Sequence, residues 1–195
     1  MAVEHVYEQP IVRELDVVQL ADISDQDADV GEDIGLEGNQ QYRDIRGCSW
    51  DFLAEVIARE QALFERFAAA EDIDEEAQAY SEEIECALFP EEDLWGLDVG
   101  VISAVVALSA LNLVSFSSCN AGGFGGSHVE AYPHVAFFLT KAVAAEVMAI
   151  AEEADVGLVM IGGGRMQLYG RTDFDLHRFA KSALARHQRA MTDFG

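Results

Sequence analysis

Leu113-Val-Ser-Phe-Ser-Ser-Cys-Asn-Ala-Gly-Gly-Phe-Gly-Gly-Ser-His-Val-Glu-Ala-Tyr-Pro-His-Val-Ala-Phe-Phe-Leu-Thr140 is the stretch on which the fold turns. Leu113 to Ser118 reads as a strand, and so does the apolar His134 to Thr140. Two strands joined by a glycine-rich loop that holds Cys119, His128, Glu130 and His134 place chemistry where the chain leaves a sheet.

Working outward, Asp98 can cap an apolar helix over 99–111. On the other side, 141–154 reads as a helix. Gly157 to Ile161 and Met166 to Arg171 read as strands joined by Gly162-Gly163-Gly164, and Asp173 can cap a last helix over 174–191. The order helix, strand, strand, helix, strand, strand, helix predicts an α+β fold: one small, mainly antiparallel sheet with helices on one face.

Upstream, Ser49 can cap a helix reaching about Ala70, with Phe52, Leu53, Val56, Ile57, Leu63, Phe64 and Phe67 at helical spacing. Asp72 with Glu75 forms a capping pair for a second helix carrying Ile73, Ala77, Tyr80, Ile84 and Leu88, which ends before Pro90. Residues 22–47 are rich in Asp, Gly and Gln and read as a loop or arm. The expected division is therefore an acidic, partly extended arm over 1–48, an acidic helical segment over 49–97, and a compact α+β domain over 98–195 that carries the loop.

Charge follows the same division. The chain of 195 residues has a formal net charge of −24, and 28 of its 36 acids but only 5 of its 12 bases lie in residues 1–98. That leaves a net −23 in the first half and −1 in the second, too uneven for a general adaptation to salt. A nucleic-acid partner is excluded as an expectation, because such a surface repels phosphates. A basic protein, attracted by the acidic half, is the expected kind of partner. Residues 67–140 contain no Lys or Arg, so the acids of the second helix lack neighbouring cations within that span. The cations gather instead in His177, Arg178, Lys181, Arg186, His187 and Arg189, and part of the acidic half is expected near that helix.

The run from Val99 to Phe116 is mostly apolar and near the lower length for a membrane span, but Asn112 and three serines interrupt it and its upstream flank is acidic. No membrane insertion is expected. Three cysteines, Cys48, Cys86 and Cys119, with no CxxC pair, argue against a disulfide framework. With no basic and apolar leader at the N-terminus, the expected compartment is reducing and cytoplasmic.

The loop permits two chemistries. Cys119, His128 and His134, with or without Glu130, can hold zinc. Alternatively Cys119 attacks, His128 or His134 takes its proton, and Glu130 or Asn120 orients the imidazole, with Ser117, Ser118, Gly122, Gly123, Gly125 and Gly126 offering groups to a small ligand or an oxyanion. Against both stands the plain alternative of a buried small thiol and histidines bonded to backbone. His128-Val-Glu130 lacks the downstream Pro-Cys-x-x-Cys of zinc deaminases, and the glycines lack the lysine of a phosphate loop.

The Ser-Cys-Asn, glycine-rich, His-x-Glu, Pro pattern over 108–138 resembles a family of uncharacterised bacterial proteins, and this resemblance implies a site without implying a reaction. More distantly, Ser117-Ser118-Cys119 ending a strand, followed by strand, helix and hairpin, is similar to the wybutosine-synthesis methyltransferase family. Two functions are expected on these grounds: a small-ligand or metal site in 117–134, catalytic or not, and alternatively an acidic interaction module such as an immunity or antitoxin-like inhibitor.

Overall fold

Ser49 opens the first helix as its sequence suggests, its hydroxyl accepting the Phe52 N–H at 3.0 Å. In a computed structural model, which describes residues 5–20, 22, 24, 29, 44–85, 94, 97–125 and 130–193, this helix is α1, Trp50–Ala69. It is followed by α2, Ile73–Glu85; α3, Ile102–Ala110; β1, Val114–Cys119; β2, His134–Phe138; α4, Ala144–Glu153; β3, Gly157–Gly162; β4, Arg165–Tyr169; and α5, Asp175–Asp193. The four strands form one sheet in the order β1-β2-β4-β3, every neighbour antiparallel. The α+β class, the small antiparallel sheet and the element order stand as the sequence suggested.

Alternation in β2 sorts the sheet into two faces. Val135 and Phe137, with Leu158, Met166 and Leu168 on the neighbouring strands, join the main core under the helices. Cys119, His134 and Tyr169 occupy one row of the opposite face, in register across β1, β2 and β4. Val114, Phe116, Ala136 and Phe138 form a second, smaller apolar cluster.

The core is continuous across the expected boundary between 49–97 and 98–195. Leu53, Val56, Leu63, Phe64 and Phe67 of α1 belong to one cluster with Val105 and Leu108 of α3, Phe179 and Ala183 of α5, and the inner face of the sheet. The apolar run at Val99–Phe116 breaks into a nine-residue helix and a strand, and among the described residues no helix is long and apolar enough to cross a membrane.

Two expected helix caps are corrected. The start of α3 has no side-chain cap of its own; the carboxylate of Glu60, reaching over from α1, accepts the N–H groups of Gly100, Ile102 and Ser103. Asp98 instead accepts the N–H of Asn120 at 3.3 Å. Asp173 likewise leaves the start of α5 and accepts the Tyr7 hydroxyl at 2.8 Å and the His5 N–H at 3.3 Å. Both aspartates sit beside the glycine loop: Asn120 of the loop takes Asp98, and the N-terminal residues His5 and Tyr7 take Asp173. Asp72 does cap α2, accepting the N–H groups of Asp74 and Glu75. Ile73, expected inside, is 41% exposed.

The N-terminal segment is a strap. Val6 bridges Thr172, Arg13 bridges Leu158 in parallel, and Val17–Gln19 closes a 3-10 turn. The strap is pinned by Tyr169, whose hydroxyl donates to the Pro10 carbonyl and accepts the Val12 N–H, both at 2.9 Å.

The acids of α2 have a cation nearer than the sequence reading allowed. Arg66, one residue outside the cation-free span, pairs with Glu76 and Glu83 and ties α2 back to α1. The basic helix α5 meets α1 through Glu60–His177 and through Trp50 stacked on His187 at 4.2 Å. Its arginines are taken by the second half: Arg186 by Glu146 and Glu153, Arg189 by Glu153, and Arg178 by Asp175.

Candidate functional site

β1 ends at Cys119, and the chain then makes a tight, left-handed descent: Ala121, Gly122, Phe124 and Gly125 all have positive φ. Asn120, 4% exposed, organises it. Its amide donates to the carbonyls of Val99 and Gly123, and its side-chain oxygen accepts the Gly122 N–H. Phe124 turns inward and meets Phe64, Phe67 and Phe174 at centroid distances of 5.0 to 5.7 Å. The loop is therefore plugged into the helical core by an aromatic side chain.

Two of its glycines are there for space. A Cβ at Gly123 would lie 2.9 Å from the Asp173 carboxylate. A Cβ at Gly125 would lie 2.2 Å from the Cβ of Ala77 on α2. The glycine loop is thus the seat of the acidic helix.

The expected site residues divide. Cys119 and His134 face each other across β1 and β2 on the same side of the sheet. The Cys119 sulfur accepts the Ala121 N–H at 3.2 Å and a second backbone hydrogen bond from Glu130. The Glu130 side chain is exposed. His134 places Nδ1 3.4 Å from the Tyr132 carbonyl, beside the Tyr132 ring, which itself lies over Tyr169. Ser117 is half-buried and Ser118 buried on the inner face beside Val135. His128 and Gly126 lie outside the described residues.

Electrostatics at this face favour neutral groups. Burial pushes the Cys119 thiol up, and the carboxylates of Asp98 and Glu130 push it further, against the two N–H groups that draw it down. Burial pushes His134 down. Burial and the neighbouring Asp173 push the Tyr7 phenol up. Among the described residues no hydrogen bond joins Cys119 to His134, and no group of three or more His, Cys, Asp or Glu is placed to hold a metal. The zinc set of the sequence reading required His128. A thiolate nucleophile needs a lowered pKa, and the causes here run the other way.

Cys119 and Cys48, the latter pushed up to about 11 by burial, will therefore resist alkylation in the native protein at pH 8. Both will react once the chain is unfolded. Peptide mapping after iodoacetamide checks this, and rapid native labelling of Cys119 at neutral pH would restore the nucleophile reading.

A buried, fully engaged carboxylate was missed by sequence reasoning. Glu60 is 0% exposed and accepts from three backbone N–H groups, from the Ser103 hydroxyl, and from His177 Nδ1 at 2.9 Å. The signal was available: Glu60 falls on the buried stripe of α1 between Val56 and Leu63, where an acid needs buried donors. The chain matches no family model, no curated protein and no solved structure.

Proposed function

We propose that this chain is an acidic binding protein that presents helix α2 to a positively charged partner, with the glycine loop as the clamp that fixes the helix. The carrying observation is the contact between Gly125 and Ala77, which fits the loop against an exposed acidic helix. Arg66 engages Glu76 and Glu83, whereas Glu71, Asp74, Glu75 and Glu82 are exposed and have no ion pair among the described residues. Like charges at this density repel one another. A cationic partner relieves that repulsion and is drawn in by long-range attraction, which governs association rate above all. The same charge disfavours nucleic acid.

A lysine-rich peptide tests the surface against mere net charge. The triple variant Asp74→Asn, Glu75→Gln, Glu82→Gln will bind it about tenfold more weakly than a control variant neutralised at exposed Glu8, Glu65 and Glu152, and with a shallower salt dependence. Equal losses in the two variants would reduce the effect to net charge and end the reading.

A second reading, a small-ligand or metal site at the loop, is favoured by one observation: Cys119 and His134 share a row of the outer face. The alkylation experiment above bears directly on it.

A further inference from the structure

At the edge of the sheet remote from the glycine loop, the strap pairs with β3 and then leaves it. The Leu158 N–H donates to the Val12 carbonyl at 2.9 Å, and the Leu158 carbonyl accepts the Glu14 N–H at 2.8 Å. Leu158 thus turns both backbone groups outward. In an antiparallel ladder, residues two apart point their backbone groups the same way. Met160 therefore turns its N–H and C=O to the same outer side, and no described residue pairs with them.

Beside this stretch of edge, unpaired among the described residues, lies a cleft of about 520 Å³ lined by Glu14, Leu15, Asp16, Gln19, Met160 and Gly162. Neighbours of these residues in sequence are apolar and exposed. Val17 is 49% exposed, Val18 85% and Ile161 46%, three of the six large apolar side chains exposed among the described residues. Its charge is negative: Glu14 and Asp16 are both exposed, while Arg13 is committed to Asp155 and to the Val156 carbonyl. Arg165 binds the Gly162 carbonyl across the hairpin.

We infer that this cleft receives an extended segment of a partner chain, with apolar residues alternating with Lys or Arg, which adds to the β3 edge at Met160. An open strand edge is a template for such addition. Main-chain bonds give the affinity and alternate side chains the selectivity. The exposed apolar neighbours suit one face of the segment, and Glu14 and Asp16 suit its cations. This surface is separate from α2 and stands or falls independently of it.

The probe is the peptide Lys-Val-Lys-Val-Lys-Val, with two N-methylated versions, one blocked on the valines and one on the lysines. In the parent complex the amide signals of Val159, Met160 and Gly162 will shift, and the Met160 amide will become protected from hydrogen exchange. One N-methylated peptide will bind about tenfold more weakly and the other like the parent, because only one set of N–H groups faces the edge. Val18→Lys will weaken the parent peptide about tenfold, while Val6→Lys, at a residue 68% exposed elsewhere on the strap, will leave it unchanged. Equal binding by all three peptides would mean charge alone and overturn the proposal, as would equal loss in both blocked peptides. Concentration-dependent dimers that shift the same amides without peptide would assign the edge to a second copy of the chain, and overturn it too.

Discussion

Replacing Glu60 with alanine will destabilise the protein by about 3–5 kcal/mol, the range for removing one partner from a buried charged network. The carboxylate supplies the acceptors that the first turn of α3 lacks, since no side chain there caps it. Without it, the N–H groups of Gly100, Ile102 and Ser103 lose their partner in the core, and the buried Ser103 hydroxyl and His177 Nδ1 keep only each other. His177 then has the Ser103 hydroxyl alone, 3.1 Å from Nδ1: its Nε2 is buried without a partner among the described residues, and Phe64 closes one side of the ring at 5.0 Å. Glu60→Gln will cost less, about 1–3 kcal/mol. Its oxygen can keep the Gly100 and Ile102 N–H groups, and Ser103 and His177 can each reverse roles to accept from the new amide. The Ser103 N–H is then orphaned, and the proton moved to His177 Nε2 finds no partner among the described residues. Denaturant unfolding with an unchanged slope measures both values. A cost below about 1 kcal/mol for the alanine variant would show that water or a shift of α3 replaces the carboxylate.

This network explains where the sequence was readable and where it was not. Periodicity located α1 because Leu53, Val56, Leu63 and Phe67 repeat on one face, and burial follows that repeat. Alternation located the strands for the same reason. Capping was harder. Asp98 and Asp173 have the right residue type at the right place before a helix, which is all that a local rule can inspect. Their competitors are far away in sequence: Glu60, some 40 residues upstream of Gly100, outbids Asp98 at α3, and Tyr7 claims Asp173 from 166 residues away. A cap is a contest between acceptors, and only the fold brings the distant contestants together. The loop was legible only in part. Its sequence suggests groups offered to a ligand; the fold shows Gly122 and Gly125 in the left-handed region, and Gly123 and Gly125 also answering to the nearness of Asp173 and Ala77. Nothing local in the sequence announces a helix 48 residues upstream.

Gly125→Ala is the substitution that joins the loop to the acidic helix, and it will destabilise the protein by about 3 kcal/mol. Two costs are stacked. An alanine at φ +74° sits in the left-handed region, and its Cβ would fall 2.2 Å from the Cβ of Ala77. The first cost belongs to the backbone and stays wherever α2 goes. The second vanishes if Ala77 yields its methyl group, since the next nearest atoms, the Ile73 carbonyl oxygen and the Ala77 Cα, are 3.6 and 3.7 Å away and in ordinary contact. Ala77→Gly alone will cost about 1 kcal/mol, as glycine does inside a helix. Independent sites would then give the double variant a loss of about 4 kcal/mol, whereas relief of the clash leaves about 2. The difference is the coupling between the loop and α2, read by denaturant unfolding of the four proteins in the cycle. Additive losses would mean that α2 is not seated on Gly125, and the clamp in the proposed function would lose its footing. A coupling of the expected size would tie the glycine loop and the exposed acids into one unit. The sequence reading set those two features against each other as rivals, but in the fold they meet at a single pair of residues.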